Sequence, residues 1–129
     1  MNTYRLPYPP TINHYWRSIG RGRVVISAAG REYRKVVWAL ALETAQEKLH
    51  GALKVVVAVT CPDRRTRDLD NLPKALLDAL RYGGAYDDDG FIDDFRIYRA
   101  GIGKPGGVIV TVQQFPTPLT QRQVLDTFS

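Results

Sequence analysis

One cysteine, Cys61, and two histidines, His14 and His50, are all that 129 residues hold of the commonest soft metal ligands. A lone thiol excludes an internal disulfide and a cysteine-rich zinc site, so the fold must rest on its core, with or without a partner subunit; Cys61 reads as an inert buried thiol. The histidines fall in a loop and at a helix end with no acid pattern beside them, which supports neither zinc ligation nor a histidine-dependent triad. Long apolar runs are also missing. The longest, Val36 to Leu42, has seven residues, against the ~18 or more of a membrane helix. Met1 to Pro10 has no signal-peptide core, so the expectation is a cytoplasmic protein without a membrane partner. There is no repeat or linker, and the length suits one domain, 1–129, excluding two independent catalytic ones.

What is present is an ordinary soluble composition, 44% hydrophobic and 24% charged, with a lopsided charge distribution. Residues 1–67 carry twelve Lys and Arg against four acids, while residues 68–129 carry six against nine, so +8 and −3 sum to the net +5. A basic half attracts a polyanion, and an acidic cluster inside such a protein calls for a compensating divalent cation. Nucleic acid is the partner class this balance favours.

Along the chain, Thr3 to Leu6 suits a short strand, and Pro7, Pro9 and Pro10 impose extended backbone after it. Residues 11–23 read as a loop that interleaves Tyr15 and Trp16 with Arg17, Arg21 and Arg23. Its aromatics suit either base stacking or core and dimer contacts. Val24 to Ile26 can add a strand. Ser27 is a candidate N-cap for a helix whose apolar spacing runs from Tyr33 to Leu49, with Gly51 as its stop. Residues 53–60 are β-branched and read as a buried central strand. Asp70 or Asn71 can cap a second helix, with Pro73 in its first turn, Leu72, Leu76, Leu77 and Leu80 on its apolar face, and Gly83 and Gly84 at its end. Strands at about 95–100 and 108–115, joined by the glycine-rich 101–107, form a hairpin candidate. That glycine run lacks phosphate-loop spacing. The tail beyond Pro116 has a weak helical pattern at 121–126.

Most of the chemistry is concentrated in 64–74, Arg-Arg-Thr-Arg-Asp-Leu-Asp-Asn-Leu-Pro-Lys. In extended backbone, Asp68 and Asp70 share a face while Leu69 points to the core. Two converging carboxylates need a cation, and hard oxygen donors select Mg²⁺ or Mn²⁺. Lys74, one turn into the helix, can meet a phosphate or developing negative charge. Asp87, Asp88, Asp89, Asp93 and Asp94 place five acids in eight residues. These suit either a solvated loop or a second group of ligands, and the spacing does not choose among Asp87, Asp88 and Asp89. An EF-hand is excluded, since a loop centred on Gly90 would begin at Ala85 and end at Arg96. Arg64, Arg65 and Arg67 suit a solubilising loop or a grip on a phosphate backbone.

Leu6-Pro-Tyr-Pro-Pro-Thr-Ile-Asn13, Ser27, Pro62-Asp-Arg-Arg65, Arg67-Asp-Leu-Asp-Asn-Leu-Pro-Lys74 and Asp88-Asp89 together resemble the RusA-type Holliday junction resolvases of phages and prophages. The resemblance covers the chain up to about residue 115. It implies a metal-dependent endonuclease, homodimeric, that cuts four-way DNA junctions by paired symmetric nicks in recombination and repair inside a bacterial cell. It places catalytic, metal-binding aspartates at Asp68, Asp70 and Asp89, an essential lysine at Lys74 and a supporting acid at Asp88. The fold expected is α/β, one small domain with a mixed sheet and two main helices. DNA contacts are expected from Arg64, Arg65, Arg67, Lys74, Tyr15, Arg17, Arg21 and Arg23. A non-catalytic DNA-binding phage accessory protein is the alternative, and an RNA or flap nuclease a third.

Overall fold

The computed structural model describes residues 1–116 and 120–127. Its elements are β1 (Asn2–Leu6), α1 (Ile12–Tyr15), β2 (Trp16–Gly20), β3 (Arg23–Ile26), α2 (Ala28–Thr44), β4 (Leu53–Cys61), α3 (Pro73–Tyr82), β5 (Ile92–Ile102), β6 (Gly107–Gln114) and α4 (Gln121–Thr127). Short 3-10 turns at Leu69–Asn71 and Asp89–Phe91 precede α3 and β5.

β4 organises the sheet because alternate residues from Leu53 to Cys61 are buried in an unbroken row. A strand so placed needs partners on both edges, and it has them: the order is β1-β6-β4-β5, with β5 parallel and β6 antiparallel to β4. The expected hairpin of the last two strands is therefore corrected. β5 and β6 flank β4, and the connection between them crosses its end, where Gly103 N–H donates to the Cys61 carbonyl at 2.8 Å. Gly106 has φ +80° there, and a Cβ would lie 3.0 Å from the Thr60 carbonyl, so glycine is required by both conformation and space. β5 also begins earlier than its sequence suggests. Asp93 and Asp94 belong to the strand, with Asp94 beside Lys54, and are separated from the acids before it.

The helices cover one face. Tyr4, Leu6, Val55, Val57, Val59, Val108, Val110 and Val112 pack with Val37, Leu72, Leu76, Ala79 and Leu80 in one core. Cys61 is a free, buried thiol within it. Ser27 caps α2 as its sequence suggests: its Oγ accepts from Gly30 N–H at 2.9 Å and donates to the Tyr15 carbonyl at 2.9 Å, binding α1 to α2. Gly30 permits that approach, since a Cβ would stand 2.6 Å from the Tyr15 carbonyl oxygen. α2 stops at Thr44 rather than near Leu49, with Ala45 left-handed at φ 52°. The residues after it serve the sheet edge: Gln46 accepts from Thr3 N–H at 2.6 Å and donates to Thr3 O at 2.8 Å, satisfying the outward-facing backbone of Thr3 on β1.

The stretch read as a loop holds more order than its sequence shows. β2 and β3 form a separate two-stranded hairpin, Trp16 beside Ile26 and Arg17 beside Val25. Its turn, Gly20-Arg21-Gly22, has positive φ throughout. No helix among the described residues is long and apolar enough to cross a membrane.

Candidate active site

Pro73 occupies the first turn of α3, as read from the sequence, but neither Asp70 nor Asn71 is its cap. Leu72 holds that position, without a side-chain bond to the helix, because the preceding residues wind into the 3-10 turn, where Leu72 N–H donates to Leu69 O at 3.3 Å and Leu72 is 2% exposed. Asp68 is extended (φ −84°, ψ 122°) and Asp70 lies within the turn. Strand alternation therefore does not set their relative direction. Both carboxylates are exposed, and the turn that carries them packs against α3 and β5.

The second acidic group also reaches α3, the 3-10 turn Asp89–Phe91 packing on that helix. Its three candidates separate by their partners. Asp87 is taken by Lys48 at 3.3 Å and His50 at 2.8 Å, so His50 meets in space an acid that its sequence neighbours do not supply. Lys48 and His50 hold the Asp87 carboxyl below its usual range, the hydrogen bond to His50 contributing most. Asp88 caps the turn, its Oδ1 accepting from Gly90 N–H at 3.0 Å, and this bond lowers its pKa. Asp89 is half-buried, and burial raises its pKa, with the contact and charge of Asp88 adding to the rise. Lys74 and Arg81 oppose that shift, which puts Lys74 within electrostatic reach of Asp89. Lys74 is exposed and has no ion-pair partner among the described residues.

No group of three or more His, Cys, Asp or Glu among the described residues closes into a metal cage. Asp68, Asp70 and Asp89 stand on two turns against one helix. A hard cation of the Mg²⁺ type still suits this donor chemistry. Such ions commonly take only one or two carboxylates, completing their shell with water and substrate phosphate. The Asp88 charge that raises the Asp89 pKa is of the kind that a cation offsets.

The sequence of residues 7–113 matches the family described as Endodeoxyribonuclease RusA. The chain belongs to the RusA family. An Escherichia coli (strain K12) protein named Crossover junction endodeoxyribonuclease RusA is 41% identical over 118 residues, covering 88% of this chain and 97% of that protein. The protein of the same name from Enterobacteria phage 82 has the same identity and coverage. That of phage HK97 is 42% identical over 110 residues, 83% of this chain and 90% of the relative.

Around this RusA site, the basic residues differ in what they can offer DNA. Arg64 is exposed, and the Arg65 side chain is 82% exposed with a loose 3.7 Å contact to Asp63. Arg67 is held in a two-pronged pair with Asp63 at 2.5 and 3.0 Å, which drives the Asp63 carboxyl well below its usual range, and much of its charge is committed to that carboxylate. The Arg67 carbonyl accepts from Arg99 Nη2 on β5, tying the loop to the sheet. Replacing Arg64, Arg65 and Arg67 together by alanine is expected to lower the salt slope of junction binding by about two units, near one for each phosphate no longer neutralised, rather than three. An unchanged slope places these arginines away from DNA.

Arg17, Arg21 and Arg23 are exposed on the β2–β3 hairpin. Tyr15, expected among the DNA contacts, is corrected by the structure: it is 0% exposed. Its hydroxyl donates to Asp78 and accepts from Arg34 Nε at 2.9 Å. No ring face remains for a base. The neighbouring Trp16, on the hairpin rather than in the helix, is the aromatic side chain that reaches the surface near Lys74.

Proposed function

We propose that this chain is a divalent-metal-dependent endonuclease that resolves four-way DNA junctions, as a homodimer, by paired symmetric phosphodiester hydrolysis. The observation that carries the reading is the stationing of Lys74, a cation unpaired among the described residues, within reach of Asp89 and one turn beyond the Asp68–Asp70 turn. Asp68, Asp70 and Asp89 would hold Mg²⁺, with Mn²⁺ able to replace it and Asp88 supporting. When bound, such an ion withdraws charge from a phosphate and lowers the pKa of a water. The chain's own residues do the rest. Lys74 stabilises the extra negative charge on the phosphoryl oxygens as the bond breaks. Arg64, Arg65, Arg17, Arg21 and Arg23 draw the phosphate backbone toward the acids, which would otherwise repel it.

A junction has approximate two-fold symmetry and needs two opposed cuts, so a C2 dimer with one site per subunit is the matching geometry. Its place is the cytoplasm of a bacterial host, encoded by a phage or prophage. The test is incubation of the protein with a labelled four-way junction, with Mg²⁺ and with EDTA, alongside sedimentation equilibrium at micromolar concentration. Cleavage with Mg²⁺ alone and twice the chain mass are expected. Binding without cleavage in Mg²⁺ or Mn²⁺ would favour a DNA-binding accessory protein, and a monomer making paired cuts would overturn the dimer.

A further inference from the structure

Beside Lys74 lies a cleft of about 530 Å³ lined by Ile12, Asn13, Trp16, Ser18 and Val24, with Lys74 as its sixth wall residue. We propose that this cleft receives a single unstacked DNA base next to the phosphate that Lys74 engages. The inference rests on the nuclease reading and adds to it a base-recognition site.

Four observations converge. First, the cleft offers an aromatic plane held in place from behind. Trp16 stands edge-on to Tyr15 with ring centroids 5.1 Å apart at 80°. Tyr15 is itself immobilised by burial and by Asp78 and Arg34. A platform fixed before binding costs little to order. Second, apolar side chains that a folded chain would ordinarily cover are left open here: Val24 is 61% exposed and Ile12 38%. A base, flat and apolar on its faces, is suited to cover them.

Third, polar groups stand where the base edge would lie. The Asn13 side-chain amide is exposed and has no hydrogen-bond partner among the described residues, and an amide presents both donor and acceptor to a base. The Ser18 hydroxyl, on the same wall, makes only a long 3.4 Å contact, accepting from Gly20 N–H. Fourth, the segment that supplies five of the six cleft residues is basic: residues 11–31 hold Arg17, Arg21, Arg23 and Arg31 and no acid, so it attracts the phosphates of a strand whose base enters the cleft beside Lys74. An apolar protein segment would gain nothing from that charge.

The site can be read by binding alone, in EDTA, so that the outcome does not depend on cleavage. A junction carrying one abasic site, moved nucleotide by nucleotide around the crossover, should bind wild-type protein about 5- to 100-fold more weakly at one position on each of two symmetry-related strands. Trp16→Ala should bind intact and abasic junctions alike, and Trp16→Phe should restore the difference, a non-additivity that general loosening of the fold does not produce. Val24→Glu, at the exposed rim and away from the core, should erase the difference without depending on how Trp16→Ala folds. Equal binding of all abasic junctions by wild type, or the same abasic penalty in Trp16→Ala or Val24→Glu, overturns the proposal. Failure of the intact junction to be cut in Mg²⁺ would instead count against the nuclease reading.

Discussion

Asp68→Asn, Asp70→Asn and Asp89→Asn are each expected to lower junction cleavage by at least ~10²-fold, while junction binding is kept or tightened. Each change keeps the side-chain shape and removes one negative charge from a place that must accept a phosphate, so binding gains what electrostatic repulsion had cost. The three should differ in stability. Burial and the neighbouring Asp88 raise the pKa of Asp89, so above that pKa its charged form is less favourable in the folded chain than in the unfolded one. Asp89→Asn removes this penalty and should raise the metal-free Tm, whereas Asp68→Asn and Asp70→Asn, at exposed positions, should leave it nearly unchanged. The same raised pKa makes Asp89 lose its charge at a higher pH than an ordinary aspartate. Cleavage should therefore begin to fall at a higher pH than the titration of an ordinary aspartate would set. Wild-type rates in all three variants would refute the metal-site reading; a wild-type rate in Asp89→Asn alone would transfer the third role to Asp88.

The largest effect on folding is expected from Asp78→Ala. Arg34 on α2 donates to Asp78 on α3 through Nε at 2.9 Å and Nη2 at 2.7 Å, and the Tyr15 hydroxyl from α1 joins them. The ion pair is mostly shielded, its side chains 23% and 18% exposed. The Arg34 guanidinium also lies 5.2 Å from the Tyr82 ring centre. Removing the carboxylate leaves a guanidinium and a hydroxyl desolvated without their acceptor, a loss of about 2–3 kcal/mol read as a lower urea midpoint. Because the network spans three helices, Asp78→Ala and Tyr15→Phe should be strongly non-additive. An unchanged midpoint would show that the network carries no stability. α3 bears Lys74, so a loosened α3 should also slow cleavage without altering the acids.

Much of this organisation is readable from local signals. Ser27 before an apolar-periodic run gives a cap, the β-branched run from Leu53 gives the central strand, and Pro73 with Gly83 and Gly84 brackets α3. Features set by distant partners are not readable. Nothing within 92–114 shows that β4 needs both edges, so two consecutive strands look like a hairpin. The β2–β3 hairpin escapes because Arg17 to Val25 lacks apolar alternation. The loss of Asp70 as a cap follows from the burial of Leu72, which only the folded core dictates. Tyr15 and Trp16 are adjacent and chemically alike, and their opposite fates are decided by Asp78 and Arg34. The acid ambiguity is similar: Lys48 and His50, far from the motif in sequence, take Asp87 and leave Asp89 within reach of Lys74.

Junction resolution requires one dimer to make two coordinated cuts, and mapping both cuts in a single junction tests this most directly. A supercoiled plasmid with one extruded cruciform, incubated with Mg²⁺, should be linearised by nicks at symmetry-related positions within one binding event. Heterodimers with one Asp70→Asn subunit should stop at the nicked circle. An intact cruciform, or linear duplex cut as fast as the junction, would contradict the account.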